Sequence, residues 1–228
     1  MSRVHSAPSL IRLGELEADG SPVFDPMLVE RYLERLDRAK LSTLVAAHVT
    51  GGGVNRGTEF LSGKIHNDRL GIRNYHFMDR MVAYHTTYLK TRASGYAHDL
   101  NIRAYPERVT ILFLKWSLAV KPLEEFLVNK VQGRETSLRA RDYFANSEAG
   151  FLRTEHFSDT LQLMTHKHIG RTINLRQYRQ IVKMILRDRV AGEDMDAFCA
   201  MDEENGRDDV DLQFNHSNSV AAQNYGVQ

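Results

Sequence analysis

The chain has 228 residues, 42% hydrophobic and 26% charged, with a formal net charge of +1. This is enough chain for one large domain or two small ones with a sizeable core, and the balance is ordinary for a soluble globular protein. No apolar run reaches membrane-spanning length, and the opening MSRVHSAPSLIRLGELEADG lacks the apolar stretch of a signal peptide. The single cysteine, Cys199, cannot form an internal disulfide. An intracellular protein without a membrane segment is therefore expected.

Residues 1–24 show no clear period and read as a flexible or loosely docked arm, leaving 25–228 as the folded domain. Asp25-Pro26 is a helix start, with an N-capping carboxylate and proline at the first helical position. Leu28, Tyr32, Leu33, Leu36, Leu41, Leu44 and Val45 follow at helical steps until Gly51-Gly52-Gly53 ends the run. A short helix is expected over Gly57 to Ser62. The segments Arg73 to Phe77 and Met81 to Tyr88 are rich in aromatic and β-branched residues and predict a hairpin turning at Asp79-Arg80. Pro106 opens a helix to about Ala119, Pro122 interrupts it, and Leu123 to Val131 resumes it. Thr154 is placed as the cap of a helix to about His168, closed by Gly170. Leu175 to Arg189 is amphipathic, with Tyr178, Ile181, Val182, Ile185 and Leu186 on its buried face. Ser217 starts a last short helix. The expected fold class is α+β, mainly α: a helical bundle with a small antiparallel sheet.

Charge is unevenly distributed. Glu193 to Asp211 holds nine acids against one base, Arg207, and forms an acidic loop at about 191–211. The remainder carries 29 lysines and arginines against 20 acids. A basic body suits phosphate binding, and it suits an ordinary solvated surface equally well.

Four segments carry candidate chemistry. In FNHSNSVAAQNYG, His216-Ser217 stands at a helix start and Tyr225 nine positions later. In INLRQYRQI, Arg176 and Arg179 project from one helix face. In GGGVNRGTE, a glycine turn leads to Arg56 and, one helical turn later, Glu59. Lys90 lies just after the predicted hairpin. Taken singly, each has a plainer reading: a capping serine with a packed tyrosine, a solvated basic face, an exposed ion pair, a turn lysine.

In this order and spacing they resemble the catalytic domain of tyrosine recombinases (the phage-integrase class). They also resemble the recombinase-like proteins associated with fungal mobile elements, which share G-G-x-x-x-R-G-T-E and Y-R-Q segments. The resemblance covers about Lys40 to Gln228, and the Tyr105-Pro106 step falls where that family leaves its sheet. It departs from the usual pattern at Arg176, which stands where a histidine is commonest.

The resemblance implies DNA breaking and rejoining, as in site-specific recombination or integration, through a 3′-phosphotyrosyl bond at Tyr225. Arg56, Arg179 and His216 would hold the phosphate, Lys90 would protonate the leaving 5′ oxygen, and Arg176 would add positive charge. Tyrosine, with an ordinary pKa of about 10, needs a phosphate already clamped and polarised. Guanidinium suits that clamp because it stays charged and donates paired hydrogen bonds, each such donor contributing about 3 kcal/mol to the transition state. The partner would be double-stranded DNA, engaged by a homo-tetramer, in the nucleus if the source is eukaryotic. The exchange conserves bond energy, so no cofactor is required. No metal-ligand spacing stands out among the ten histidines, and no phosphate-loop motif is present. The alternative reading is a decayed recombinase fold acting as a DNA-binding or interaction module.

Overall fold

The computed structural model describes residues 10–52, 54–67, 70–86, 102–147 and 150–190. Lys90, the acidic loop, His216 and Tyr225 lie outside the described residues.

The expected class holds: the chain is α+β and mainly helical, with small antiparallel sheets. The region expected as an arm includes a hairpin of β1 (Ile11–Leu16) and β2 (Pro22–Phe24). Its register is irregular between Ile11 and Leu16, which breaks the two-residue alternation that would have marked it.

Helix α1 (Pro26–Thr50) begins as expected, with Asp25 accepting from the Leu28 N–H at 3.2 Å and Pro26 in the first turn. It ends at Gly51, where a Cβ would lie 2.8 Å from the Tyr105 ring. After α2 (Gly57–Leu61), strands β3 (Tyr75–Met78) and β4 (Met81–His85) form the expected hairpin. Asp79 in its turn takes a positive φ of 50°, which aspartate tolerates better than most residues. β5 (Ile102–Ala104) adds a third strand beside β4, and Pro106 then leads into α3 (Glu107–Lys115). The Thr110 hydroxyl accepts from the Val82 N–H at 3.0 Å, fastening this helix to the sheet.

Pro122 does not break the next helix. A π-helical turn (Trp116–Val120) joins α3 to α4 (Lys121–Gln132), so the wider turn falls just where the proline ring would otherwise meet the preceding carbonyls. α5 (Arg134–Asp142) and a minimal hairpin of β6 (Asn146–Ser147) and β7 (Gly150–Phe151) follow. Arg153, not Thr154, occupies the cap position of α6 (Thr154–Ile169), and its side chain makes no capping bond. Gly170 closes α6 in the left-handed conformation, and α7 (Leu175–Val190) follows.

The main core joins α1, α2, the three-stranded sheet, α3 and α6 around Phe60, Tyr75, Tyr84, Phe113, Phe144 and Phe157. A smaller cluster of Val29, Leu33, Leu127, Val128 and Ala140 seals α1 against α4 and α5. Between them lies a buried charge network. Lys40 is fully buried, and its Nζ meets Glu124 at 2.6 Å and Asp37 at 2.9 Å and donates to the Asn146 carbonyl. Lys121 donates to the other Glu124 oxygen and to the Tyr143 carbonyl, both at 2.9 Å. Burial pushes the Lys121 ammonium down to about 8, with Glu124 opposing the shift.

The burial of α7 differs from expectation. Tyr178, Val182 and Leu186 pack on Val54, but Ile181 and Ile185 are exposed, at 38% and 53%. The three packed residues form a single i, i+4, i+8 stripe, and the isoleucines fall beside it.

Replacing Lys40 by Met should destabilise the fold by about 3–5 kcal/mol, because Glu124 then keeps its buried charge without its closest cation. Urea unfolding of both proteins measures the difference, and a loss below 1 kcal/mol, about the ceiling for exposed pairs, would mean the network contributes no more than a surface pair.

Candidate functional site

Residues 54–57 run between the sheet on one side and α7 on the other. Their close passage requires glycine at 57, where a Cβ would stand 2.6 Å from the Thr154 methyl and 3.3 Å from Leu175 Cδ1. Arg56 therefore sits at the N-terminus of α2 against the first turns of α6 and α7. The expected pair forms: Glu59, buried, accepts from the Arg56 guanidinium at 3.3 Å and from its backbone N–H at 3.1 Å. The Arg56 side chain keeps 29% of its surface exposed.

Helix α7 is aimed by its own cap. Asn174 accepts from the Gln177 N–H at 2.9 Å, and the Gln177 side chain accepts from the Asn174 N–H at 3.0 Å. The Ile173 N–H reaches back to the Thr165 hydroxyl on α6 at 3.0 Å. Tyr178 then spans to α1, its hydroxyl donating to the Val49 carbonyl at 3.1 Å and its ring 5.8 Å from that of His48. Arg179 follows directly and is half-buried, whereas Arg176 is exposed. The Arg179 charge acts on both His48 and Arg103, so these three cationic or potentially cationic groups share one region.

Arg103, on β5, was not singled out in the sequence. It is 4% exposed and donates to the Thr86 hydroxyl at 3.1 Å, which in turn donates to Asn55 Oδ1 at 3.0 Å. This buried chain links the end of β4 to the residue preceding Arg56. Burial lowers Arg103 to about 10, opposed by the Tyr105, Tyr84 and Glu59 groups and reinforced by Arg179. Arg103, Asn55, His48 and Tyr105 line a cavity of about 10 Å³. That is room for roughly one water molecule and far too little for a phosphate. An anion of phosphate size would have to be held outside it, where Arg56 and Arg179 retain exposure.

The structure thus brings the elements carrying Arg56 and Arg179 together above the buried Arg103, and places Arg176 on the solvent side of the same helix. Lys90 belongs to the connection between β4 and β5, which pair directly at His85 and Ile102. Its own position, like those of His216 and Tyr225, lies outside the described residues. Among the described residues no group of three or more His, Cys, Asp or Glu side chains could hold a metal ion, and no helix is long and apolar enough to cross a membrane.

No family model, curated protein or solved structure matches the chain. The functional reading therefore rests on this site and on the motifs that led to it.

His48 is enclosed by the rings of Phe60, Phe157 and Tyr178, at 5.6, 5.2 and 5.8 Å. Desolvation, with the charges of Arg103 and Arg179, pushes it down to about 3. Its folded pKa lies below its ordinary value of 6.5, so the unfolded chain binds more protons between the two. The stability that neutral His48 contributes is complete above pH 6.5 and declines as pH falls towards 3. Unfolding free energies measured across that window should fall less steeply for His48→Leu than for the wild type. Equal slopes would show that His48 is not the buried neutral group described.

Proposed function

We propose that this chain is a DNA strand transferase of the tyrosine recombinase type, with Tyr225 as nucleophile. What supports the reading is the adjacency of the Arg56 turn and the Arg179 helix, two elements far apart in sequence, beside the buried Arg103. The topology between them is also compatible with it. A three-stranded sheet follows Arg56, and the connection between its second and third positions in the chain contains Lys90.

In the proposed reaction, Arg56 and Arg179 bind the non-bridging oxygens of one phosphodiester, with His216 as a further donor. The Tyr225 oxygen attacks phosphorus as its phenolic proton passes to solvent, the bond to the 5′ oxygen breaks, and Lys90 supplies the proton to that oxygen. A 3′-phosphotyrosyl bond replaces the phosphodiester, and attack by another 5′ hydroxyl reverses the step. Glu59 orients Arg56 through both its backbone and its guanidinium, while the buried Arg103–Thr86–Asn55 chain fixes the turn on which it stands. Arg176 adds charge but cannot carry a proton near neutral pH.

Double-stranded DNA, bound by four subunits, is the proposed partner. The alternative, a module that binds DNA without cutting it, is favoured by one feature, the arginine at 176 in place of a proton-transferring histidine. Trapping on nicked suicide substrates from a randomised DNA pool separates the two. The wild type should give a denaturation-resistant protein–DNA adduct that Tyr225→Phe lacks. DNA binding with no adduct in either protein would establish the binding module instead.

Phosphate contact by Arg179 has its own signature. Arg179→Ala should reduce the slope of log affinity against log salt concentration by about 1, the contribution of one phosphate contact. An unchanged slope would remove Arg179 from the phosphate site.

A further inference from the structure

On the outer face of the three-stranded sheet, away from the Arg103 side, two histidines meet. His76 Nε2 on β3 lies 2.8 Å from His85 Nδ1 on β4, with ring centroids 4.8 Å apart. The same His76 nitrogen is 3.1 Å from the Arg73 carbonyl oxygen. We propose that His76, His85 and the Arg73 carbonyl form a surface site for a divalent transition metal with tetragonal preference, Cu(II) above all.

The spacing carries the argument. Ligands on adjacent corners of a square-planar or octahedral site, each about 2.0–2.1 Å from the metal, lie about 2.9 Å apart. Corners of a tetrahedron at the same bond length lie about 3.3 Å apart. The 2.8 Å between His76 Nε2 and His85 Nδ1 matches the first value, and the 3.1 Å to the Arg73 carbonyl oxygen lies midway between the two. Copper(II) also binds nitrogen ligands most strongly of the first-row divalent ions.

The two strands hold these ligands in place. His76 faces Ala83 in the β3–β4 register, and this small residue, two positions before His85, leaves room for the rings to approach. The His85 backbone is fastened on both sides. Its N–H donates to the Asn74 carbonyl at 2.9 Å, and its carbonyl accepts from the Asn74 side chain at 2.9 Å. The Asn74 side chain is itself held by the Lys64 N–H at 2.8 Å. Both rings are half-exposed, which gives an ion access and leaves its remaining positions to water.

The imidazoles must be neutral to bind. The positions sharing this face through the register, Ala83, Ile102 and Ala104, carry no charge. A metal would replace the proton shared between the rings, with His76 carrying its remaining hydrogen on Nδ1.

The site is independent of the DNA reaction, although His85 directly precedes Thr86 of the buried chain that leads to Asn55. Copper(II) alone, added to the full chain at one equivalent, is the probe, read by electron paramagnetic resonance and by titration. The wild type should show nitrogen superhyperfine structure from two imidazoles. His76→Ala and His85→Ala should each lose that two-nitrogen pattern and weaken binding by more than about tenfold, the lower end of what even outer-shell changes cost. His76→Gln, at a half-exposed position, keeps the test interpretable if His85→Ala fails to fold. An unchanged spectrum and affinity in the variants, or a single-nitrogen spectrum in the wild type, would overturn the site and leave the pair as a hydrogen bond between two rings.

Discussion

The fold depends on the burial of one lysine. Lys40 lies just past the middle of α1 with no solvent contact, and its ammonium is held by Asp37, Glu124 and the Asn146 carbonyl. Removing such ions from water costs several kcal/mol each, and only a nearly complete set of partners offsets it. Glu124 also receives Lys121, which binds the Tyr143 carbonyl, so one carboxylate serves two ammonium groups. The arrangement couples α1, α4, the end of α5 and β6. The small apolar cluster around Leu33 and Leu127 joins α1, α4 and α5 as well. Their relative placement is set by directional bonds as much as by apolar contact, a more exacting constraint than greasy packing because each bond has both a distance and an angle.

That constraint reaches the candidate site through α1. The C-terminal turn of this helix presents His48 and Val49 to α7 and ends at Gly51 against Tyr105. The turn bearing Arg56 leaves from this point and is clasped by the Arg103–Thr86–Asn55 chain beneath and by Tyr178 and Val182 above. The positive groups gather here without a large cavity.

Much of the helical framework was legible because its boundaries have local causes. Asp25-Pro26, Gly170 and the Asp79-Arg80 turn act within a few residues, and the structure uses each as expected. The pieces that escaped notice depend on distant partners. β5 is three residues long and becomes a strand only by pairing with β4. β6 and β7 are shorter still, and α5 reads as a charged run, RETSLRARD, with little apolar signal. Ile181 and Ile185 were assigned to the buried face of α7 because they are apolar, whereas the stripe that meets Val54 is chosen by the direction from which the helix approaches. The same division runs through the site. The Arg56–Glu59 pair is one helical turn apart and readable from spacing. Arg103 has no motif around it, and its involvement follows from a strand pairing that sequence periodicity does not announce.

The π-turn at Trp116–Val120 has a consequence for how this chain tolerates change in length. A π-turn accommodates one residue more than the α-helix it interrupts, while the helices on either side keep their facing. Between Glu107 and Gln132 it is therefore the one place where the chain could shorten by a residue without turning α4 about its axis. A deletion elsewhere in the helix would rotate everything beyond it by about 100°, carrying Lys121 and Glu124 away from Lys40. Pro122 works against even the permitted loss, since an unbroken α-helix would bring its ring onto a preceding carbonyl. Proline and charge network together thus hold this stretch to its present length, and change in the region is channelled into substitution in place of insertion or deletion.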